Sequence, residues 1–214
     1  MIIYTRRGDG GETAVFGGRV PKDDPRVEAC GSLDEVNCFV GETIVRLAER
    51  DEHQYADMIR LLTEVQQELF DCISDLATVK NLRPYKVHAE HVGRLEQWID
   101  HYAAQAPAVS KFVLPGGTAA AAALHLCRSV TRRAERRVVS LARQEETNSE
   151  VRRYVNRLSD LFFVMARAAN AREGVKDVQY ERGRDVFRRR SRLDHPGGLT
   201  NGSDDTMDAD GDFL

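Results

Sequence analysis

The sequence predicts an all-α protein: a five-helix bundle preceded by an ordered N-terminal loop. The 214-residue chain is 42% hydrophobic and 30% charged, with only six prolines, which is typical of a folded globular protein. Five segments repeat apolar residues at steps of three and four, the spacing of one buried helical face. Prolines, glycines and capping residues separate these segments, so each segment has its own start and stop.

The N-terminal segment, residues 1–27, is rich in Gly, Pro and charge and has no helical period. We therefore expect an ordered or ligand-ordered loop here. The first helix is predicted over about 28–50, where Val36, Val40 and Leu47 belong to one apolar stripe.

The second helix is predicted over about 54–79, because Leu62, Val65 and Leu69 continue the same periodicity. It is expected to stop at Asn81 and Pro84, since proline cannot continue a helix. A third helix is predicted over about 86–105.

The sequence Leu-Pro-Gly-Gly at 114–117 predicts a shaped loop, because paired glycines adopt backbone conformations that other residues resist. Thr118 is the expected N-cap of a fourth helix at about 119–146, which begins with a run of alanines. Ser149 is the expected N-cap of the fifth helix, with Glu150 in its first turn.

We expect one domain over 1–190. It consists of the loop at 1–27, the helical bundle at 28–172 and a C-terminal extension at 173–190. Residues 191–214 combine Gly, Ser and six Asp with few apolar groups, so they predict a disordered acidic tail.

The net charge argues against nucleic acid as a partner, and the lack of long apolar segments argues against a membrane. The net charge is −3 and the pI is about 6.1, so no general affinity for nucleic acid is expected. The sequence has neither an apolar signal segment at its start nor a run of about eighteen apolar residues. We therefore expect a cytoplasmic protein without a membrane partner.

The fourth helix carries the most informative charge pattern. Arg128, Arg132 and Arg136 are four residues apart and share one helical face. Each such like-charge pair costs a few tenths of a kcal/mol, so the row needs carboxylate partners or an anionic ligand. Guanidinium groups bind phosphate and carboxylate in the same two-pronged way, so a salt-bridged or solvated face remains the alternative at this point.

Residues 5–13, Thr-Arg-Arg-Gly-Asp-Gly-Gly-Glu-Thr, form a second feature that favours anions. Glycines let backbone N–H groups approach an anion, and hydroxyls and cations lie alongside. The spacing matches neither a P-loop nor a dinucleotide fingerprint, so a simple tight turn remains the alternative. Lys22 is a further cation close by in sequence.

These features occur within six ordered segments that resemble the signatures of PduO-type ATP:cob(I)alamin adenosyltransferases. The most specific are Pro-Gly-Gly at 115–117, Arg-Arg-Ala-Glu-Arg at 132–136 and Asn-Arg-Leu-Ser-Asp at 156–160. The other segments are 5–13, 21–24 and 31–37. The resemblance covers about residues 1–188, and the acidic tail has no counterpart in it.

The resemblance implies a ferritin-like up-down bundle that assembles as a homotrimer and binds ATP between neighbouring subunits. One subunit would wrap the nucleotide with its N-terminal loop, through Thr5, Arg6, Arg7, Gly8, Asp9, Gly11, Thr13 and Lys22. The adjacent subunit would face it with Arg132, Arg133, Glu135, Arg136 and Asn156. Arg128 would pair with Asp34 across that interface.

The resemblance also implies the reaction. Cob(I)alamin attacks the 5′-carbon of ATP and intact triphosphate leaves, so the protein aligns the reactants and stabilises charge through Arg132, Asn156 and Mg²⁺ held by the ATP phosphates. Phe112 would displace the lower axial base of cob(II)alamin, which eases reduction. Phe163, Val186 and Phe187 would contact the corrin. A flavin-type reductase and adenosylcobalamin-dependent enzymes are the implied partners.

Two other readings of the helical pattern compete with this one. A non-catalytic bundle would explain the helices but not the glycine-rich start. A di-iron oxidase would need Glu-x-x-His pairs on two helices, and the sequence has none. His88 and His91 lie three residues apart without further ligands nearby, so we expect them to be surface residues.

Overall fold

The structure is a computed structural model that describes residues 3–79 and 82–182. Within them it contains the five predicted helices and one small sheet, so the predicted fold class is confirmed. The helices are α1 Pro25–Asp51, α2 Ala56–Leu76, α3 Ala89–Ala103, α4 Ala119–Ala142 and α5 Ser149–Arg172.

The five helices belong to a compact unit that comprises the described residues up to Pro107 together with Pro115–Asp177. In this unit α4 packs against both α1 and α5, α2 packs against α1, and α3 packs against α5. The predicted apolar stripes meet in one core, in which Val36, Leu62 and Leu158 are fully buried. None of the helices that the structure describes is long and apolar enough to span a bilayer.

A second, smaller unit comprises Ala108–Leu114 and the described residues from Val178 onward. Its two segments run antiparallel: the Leu114 N–H donates to the Val178 carbonyl at 2.8 Å, and the Tyr180 N–H donates to the Phe112 carbonyl at 2.7 Å. Val186, Phe187 and the predicted acidic tail lie outside the described residues.

The N-terminal segment is not wholly loop, as the sequence had led us to expect. It contains an antiparallel hairpin of β1 Glu12–Val15 and β2 Gly18–Pro21. Each strand has only four residues, too few to give a clear alternating pattern. Tertiary contacts support the hairpin instead, since the backbone of Phe16 pairs with Ala77 and Val79 just beyond α2.

Helix boundaries differ from the predicted ones where side chains cap the ends. Helix α1 begins at Pro25 rather than 28, because the Asp24 carboxylate accepts from the Arg26 N–H. Thr118 caps α4 as predicted, by accepting from the Ala121 N–H. The N-cap of α5 is Asn148 rather than Ser149, since the Asn148 side chain accepts from the Glu150 N–H.

Helix α2 ends at Leu76, three residues before the predicted end. The buried guanidinium of Arg26 donates to the carbonyls of Leu76 and Thr78. The Ala77 carbonyl accepts from the Phe16 N–H at 2.9 Å. These partners satisfy carbonyl groups beyond the helix, so the chain has no need to continue the helical ladder.

Asp75 is a buried carboxylate that holds two connections together. It accepts from the backbone N–H groups of Lys86 and Val87, which lie between α2 and α3, at 3.0 to 3.1 Å. It also accepts from the Asn148 side chain, which precedes α5, at 2.8 Å. Asp75 therefore fixes both the α2–α3 connection and the start of α5.

We expect Asp75→Ala to lower the free energy of unfolding by about 3 kcal/mol, because it leaves several buried donors without an acceptor. Asp71→Ala is the matched control, since Asp71 pairs with Lys86 near the surface and should cost less than about 1 kcal/mol. Urea unfolding at one fixed protein concentration measures both values. Equal losses in the two variants would contradict the role given to Asp75.

Candidate functional site

The start of the chain forms a compact turn that Lys22 closes. The Asp9 N–H donates to the Arg6 carbonyl at 3.3 Å, and the Gly11 N–H donates to the Gly8 carbonyl at 3.2 Å. The Lys22 N–H donates to the Gly11 carbonyl at 2.8 Å, which ties the turn to the end of β2. A Cβ atom on Gly8 would lie only 3.2 Å from the Lys22 Nζ, so the ammonium group packs directly over this glycine.

Other side chains of the loop either stabilise the turn or remain exposed to solvent. The Arg19 guanidinium donates to the Arg7 carbonyl at 2.8 Å and pairs with Glu12 at 3.3 Å. Thr5, Arg6, Arg7 and Asp9 are exposed, while Thr13 is half-buried on β1. The turn thus leaves a hydroxyl and two guanidinium groups accessible to solvent within a glycine-rich segment, which is the chemistry that an anion site requires.

On α4, one row of arginines is neutralised within the chain. Arg133 pairs with Glu35, and Arg137 pairs with Glu28 at 3.1 Å; both carboxylates belong to α1. All four side chains are about half exposed, so each pair contributes little to stability. Arg133 was predicted to bind the nucleotide. Its pairing with Glu35 adds no support, and that role remains a prediction.

The other row consists of Arg128, Arg132 and Arg136. Within the described residues, none of the three forms a hydrogen bond or ion pair with a carboxylate. The Nε of Arg128 is buried without an acceptor, and burial, together with the neighbouring Arg132 charge, lowers the pKa of Arg128. Asp34 on α1 is exposed and likewise forms no ion pair in the described part of the chain.

Glu135 and Asn156 meet between α4 and α5. The Asn156 side-chain N–H donates to the Glu135 carboxylate at 2.8 Å, and its side-chain oxygen accepts from Arg157. Both residues are half-buried. The structure therefore brings together these two predicted site residues between α5 and α4, the helix that carries Arg132.

No hydrogen bond or ion pair joins the N-terminal turn to Arg132, Glu135 or Asn156 within residues 3–79 and 82–182. The ion pair of Arg133 with Glu35 shows which part of α1 lies beside Arg132 and Glu135. Glu35 lies about 15 Å along the helix axis from Pro25, where the N-terminal segment ends. The two halves of the predicted site are thus separate features of one chain.

Phe112 and Phe163, both predicted to contact a corrin, have different surroundings. Phe112 is 41% exposed and lies in the short ladder of the smaller unit. Phe163 on α5 is half-buried against the core, with its ring centroid 6.3 Å from that of His125 and 5.9 Å from the Arg167 guanidinium carbon.

Sequence reasoning missed His125, which lies next to the unpaired arginines. The side chain is only 4% exposed, yet neither ring nitrogen has a hydrogen-bond partner in the described residues. Burial and the charge of Arg128 lower the pKa of His125 to about 4, so the ring is neutral at pH 7. Only its place on α4 between apolar positions could have indicated burial.

Comparison with known proteins identifies relatives of this chain. The sequence model of the family described as "Cobalamin adenosyltransferase" matches residues 3–169. The corrinoid adenosyltransferase of Bacillus subtilis is 49% identical over 191 residues, which cover 89% of this chain and 98% of that protein. The human corrinoid adenosyltransferase MMAB is 40% identical over 185 residues, which cover 83% of this chain and 72% of the relative.

A solved structure shares the fold. It is a phenylalanine-to-histidine variant of a PduO-type ATP:corrinoid adenosyltransferase from Lactobacillus reuteri, complexed with cobalamin and ATP. Its TM-score to this chain is 0.82 at 44% sequence identity, and the match covers 87% of this chain and 100% of the solved one.

The shifted pKa of His125 predicts a pH dependence of stability. Its folded pKa of about 4 lies below the ordinary 6.5, so between these values the unfolded chain binds the extra proton. The neutral His125 ring therefore contributes to the free energy of unfolding. Its contribution is complete above pH 6.5 and decreases by about 3 kcal/mol in total as the pH falls towards 4. The free energy of unfolding should therefore fall more steeply over this range in the parent than in His125→Leu. Parallel curves would contradict the assignment.

Proposed function

The chain belongs to the cobalamin adenosyltransferase family, and from that membership we propose that it transfers the 5′-deoxyadenosyl group of ATP to the cobalt of a corrinoid. The observation that carries this proposal is the row Arg128, Arg132 and Arg136, which no carboxylate neutralises within the described residues, beside the Glu135–Asn156 pair. Family membership also decides against a non-catalytic bundle and a di-iron oxidase.

The residues fit a reaction that requires alignment and charge stabilisation rather than a side-chain base. Cob(I)alamin attacks the 5′-carbon of ATP; the cobalt–carbon bond forms while the bond from that carbon to oxygen breaks, and its electron pair leaves with the triphosphate. Arg132 and Arg136 stabilise the negative charge that grows on this leaving group. Asn156, oriented by Glu135, holds the nucleotide in place for the attack.

Mg²⁺ fits this site as an ion bound through the ATP phosphates. In the described part of the chain, no group of three or more His, Cys, Asp or Glu side chains is arranged to hold a metal ion. The arginines and the lysine, in contrast, can neutralise part of the charge of a triphosphate, and a bound cation can neutralise the rest. Mg²⁺ would neutralise phosphate charge and orient the chain of phosphates.

We further propose a homotrimer in which the N-terminal turn of one subunit and the α4 row of the next hold the same ATP. Two observations in the described residues support a shared site: no hydrogen bond or ion pair joins the two halves, and Arg128 and Asp34 both lack an ion-pair partner. A partner subunit would provide the missing charges. A reductase that delivers the electron to cob(II)alamin is the expected further partner.

Phe112 is proposed to displace the lower axial base of cob(II)alamin. Its 41% exposure supports a role outside core packing, because Phe162 on α5 is fully buried by comparison. Removal of the base leaves four-coordinate cobalt, which accepts an electron more readily. Phe163, Val186 and Phe187 remain proposed contacts of the corrin.

The first test is the product of the reaction. The purified protein with reduced cobalamin, ATP and Mg²⁺ should form adenosylcobalamin and release intact triphosphate, because the arginine row can bind all three phosphates as one leaving group. Absorbance follows the cobalt–carbon product, and ion-exchange chromatography separates the phosphates. Release of pyrophosphate and phosphate during turnover would contradict the proposed mechanism.

The shared site predicts complementation between two impaired variants. Lys22→Ala damages the N-terminal turn and Arg132→Ala damages the α4 side, so a mixed trimer contains some sites with both halves intact. Random mixing should restore about one quarter of the parent's sites. Mixing Arg132→Ala with Asn156→Ala is the control, since both changes affect the same half and no intact site can form. Equal activity of the two mixtures would exclude a site between subunits.

Phe112→Ala should retain the fold and ATP binding but lose most turnover on cobalamin, because the axial base stays on cobalt. Turnover on cobinamide, which lacks that base, should be much less affected. Leu114→Ala is the matched control, since Leu114 is 47% exposed on the same short segment. The measurement is the ratio of the two turnover rates, with magnetic spectra counting four-coordinate cobalt(II). An unchanged ratio would remove Phe112 from the mechanism.

A further inference from the structure

Three side chains near the C-terminal end of α5 form a buried polar network. The Arg167 Nε donates to one carboxylate oxygen of Asp177 at 2.8 Å, and the Asn170 amide donates to the other at 3.0 Å. The side chains of Arg167 and Asp177 are each only 8% exposed, and Asn170 is also buried. Both oxygens of Asp177 therefore accept from fixed donors.

The same side chains bind the backbone at the ends of the 108–114 segment. Arg167 donates to the carbonyl of Pro107, the residue just before this segment. Asn170 donates to the carbonyl of Gly116 at 3.3 Å and accepts from the Thr118 N–H at 2.9 Å, just after the segment. Asp177 immediately precedes the second segment, which begins at Val178.

The glycine pair fits this arrangement. Gly117 has a φ of +97°, and a Cβ atom there would lie 2.2 Å from the side-chain oxygen of Asn170. Only glycine tolerates both the backbone angle and this approach. The second glycine of the Pro-Gly-Gly sequence thus makes room for Asn170, a residue of the network.

The network is energetically demanding, because burying an ion pair costs desolvation energy that apolar packing avoids. What the network contributes is a defined conformation, since its fixed donors and acceptors are satisfied in only one arrangement of the chain. The ladder between 112–114 and 178–180 contains only two backbone hydrogen bonds, and such a short hairpin-like pair is marginal by itself. Its register therefore depends on where its two strands start.

We propose that Arg167, Asn170 and Asp177 are positioning residues that set the register of the Phe112 ladder, because they fix the chain on both sides of the 108–114 segment and at the residue before Val178. The effect on turnover rests on the proposed function of Phe112, whereas the effect on the ladder does not. Their proposed effect on the reaction is exerted through Phe112, because they fix the register of the ladder to which its backbone belongs.

The test replaces Asp177 by Asn in the full-length protein. Asparagine has the same shape as aspartate, but its amide replaces one acceptor oxygen by an N–H donor that faces Arg167 or Asn170. Asp57→Asn is the matched control, because Asp57 forms a two-pronged pair with Arg172 of the same helix at 2.7 to 2.8 Å but does not contact the network. Both variants are compared with the parent by hydrogen exchange and by turnover on cobalamin and cobinamide.

In Asp177→Asn, the amides of Leu114 and Tyr180 should exchange about tenfold faster or more, while the control leaves them unchanged. The ratio of cobalamin to cobinamide turnover should fall about tenfold, with ATP affinity retained. Adding Asp177→Asn to Phe112→Ala should change this ratio little further, since both act through the same side chain. If Asp177→Asn does not fold, Arg167→Lys provides the same test, because lysine keeps the charge but cannot reach Asp177 and Pro107 together.

Exchange at Leu114 and Tyr180 equal to that of the control would overturn the inference. Faster exchange with an unchanged turnover ratio would also overturn it, provided that Phe112→Ala lowers the ratio. If Phe112→Ala itself leaves the ratio unchanged, the proposed function of Phe112 fails. Exchange alone then decides whether the network holds the ladder.

Discussion

Helix α4 carries two rows of arginines, and only one of them is neutralised in the described part of the chain. The side chains of Arg133 and Arg137 reach carboxylates on α1, whereas Arg128, Arg132 and Arg136 reach none. Stacked like charges on one helical face repel, and part of this row is buried as well. An anionic ligand and a neighbouring subunit would relieve both costs, so the proposed substrate and the proposed assembly answer the same constraint.

The N-terminal turn is the complementary half of the proposed site, and its Gly11 carbonyl accepts from Lys22 at the end of a hairpin that is itself anchored on the bundle. The backbone of Phe16 pairs with residues beyond α2, and the Arg83 guanidinium lies 3.7 Å from the centroid of the Phe16 ring. Arg83 is itself held by Ser74 and Thr78. A turn anchored in this way loses little entropy when it binds a triphosphate, which favours both affinity and alignment.

The ladder that carries Phe112 is short, and two backbone hydrogen bonds alone make a weak pair of strands. Buried polar groups lie where the chain enters and leaves the 108–114 segment, and Asn170 and Gly117 approach each other closely there. The proposed role of Arg167, Asn170 and Asp177 is to fix the register of this ladder through the ends of its two segments.

The sequence by itself determined the five helices, because helical periodicity and capping are local properties, and it predicted the arginine row and the glycine-rich turn as candidates for anion binding. It could not determine the hairpin, whose short strands depend on pairing with the end of α2. Only the tertiary structure decided that Arg133 pairs with Glu35 while Arg132, its neighbour in sequence, does not. It alone placed Asp177 between Arg167 and Asn170, and it buried His125 without a hydrogen-bond partner among the residues that the structure describes. Each of these outcomes depends on which faces meet when helices distant in sequence pack, and no local pattern encodes that.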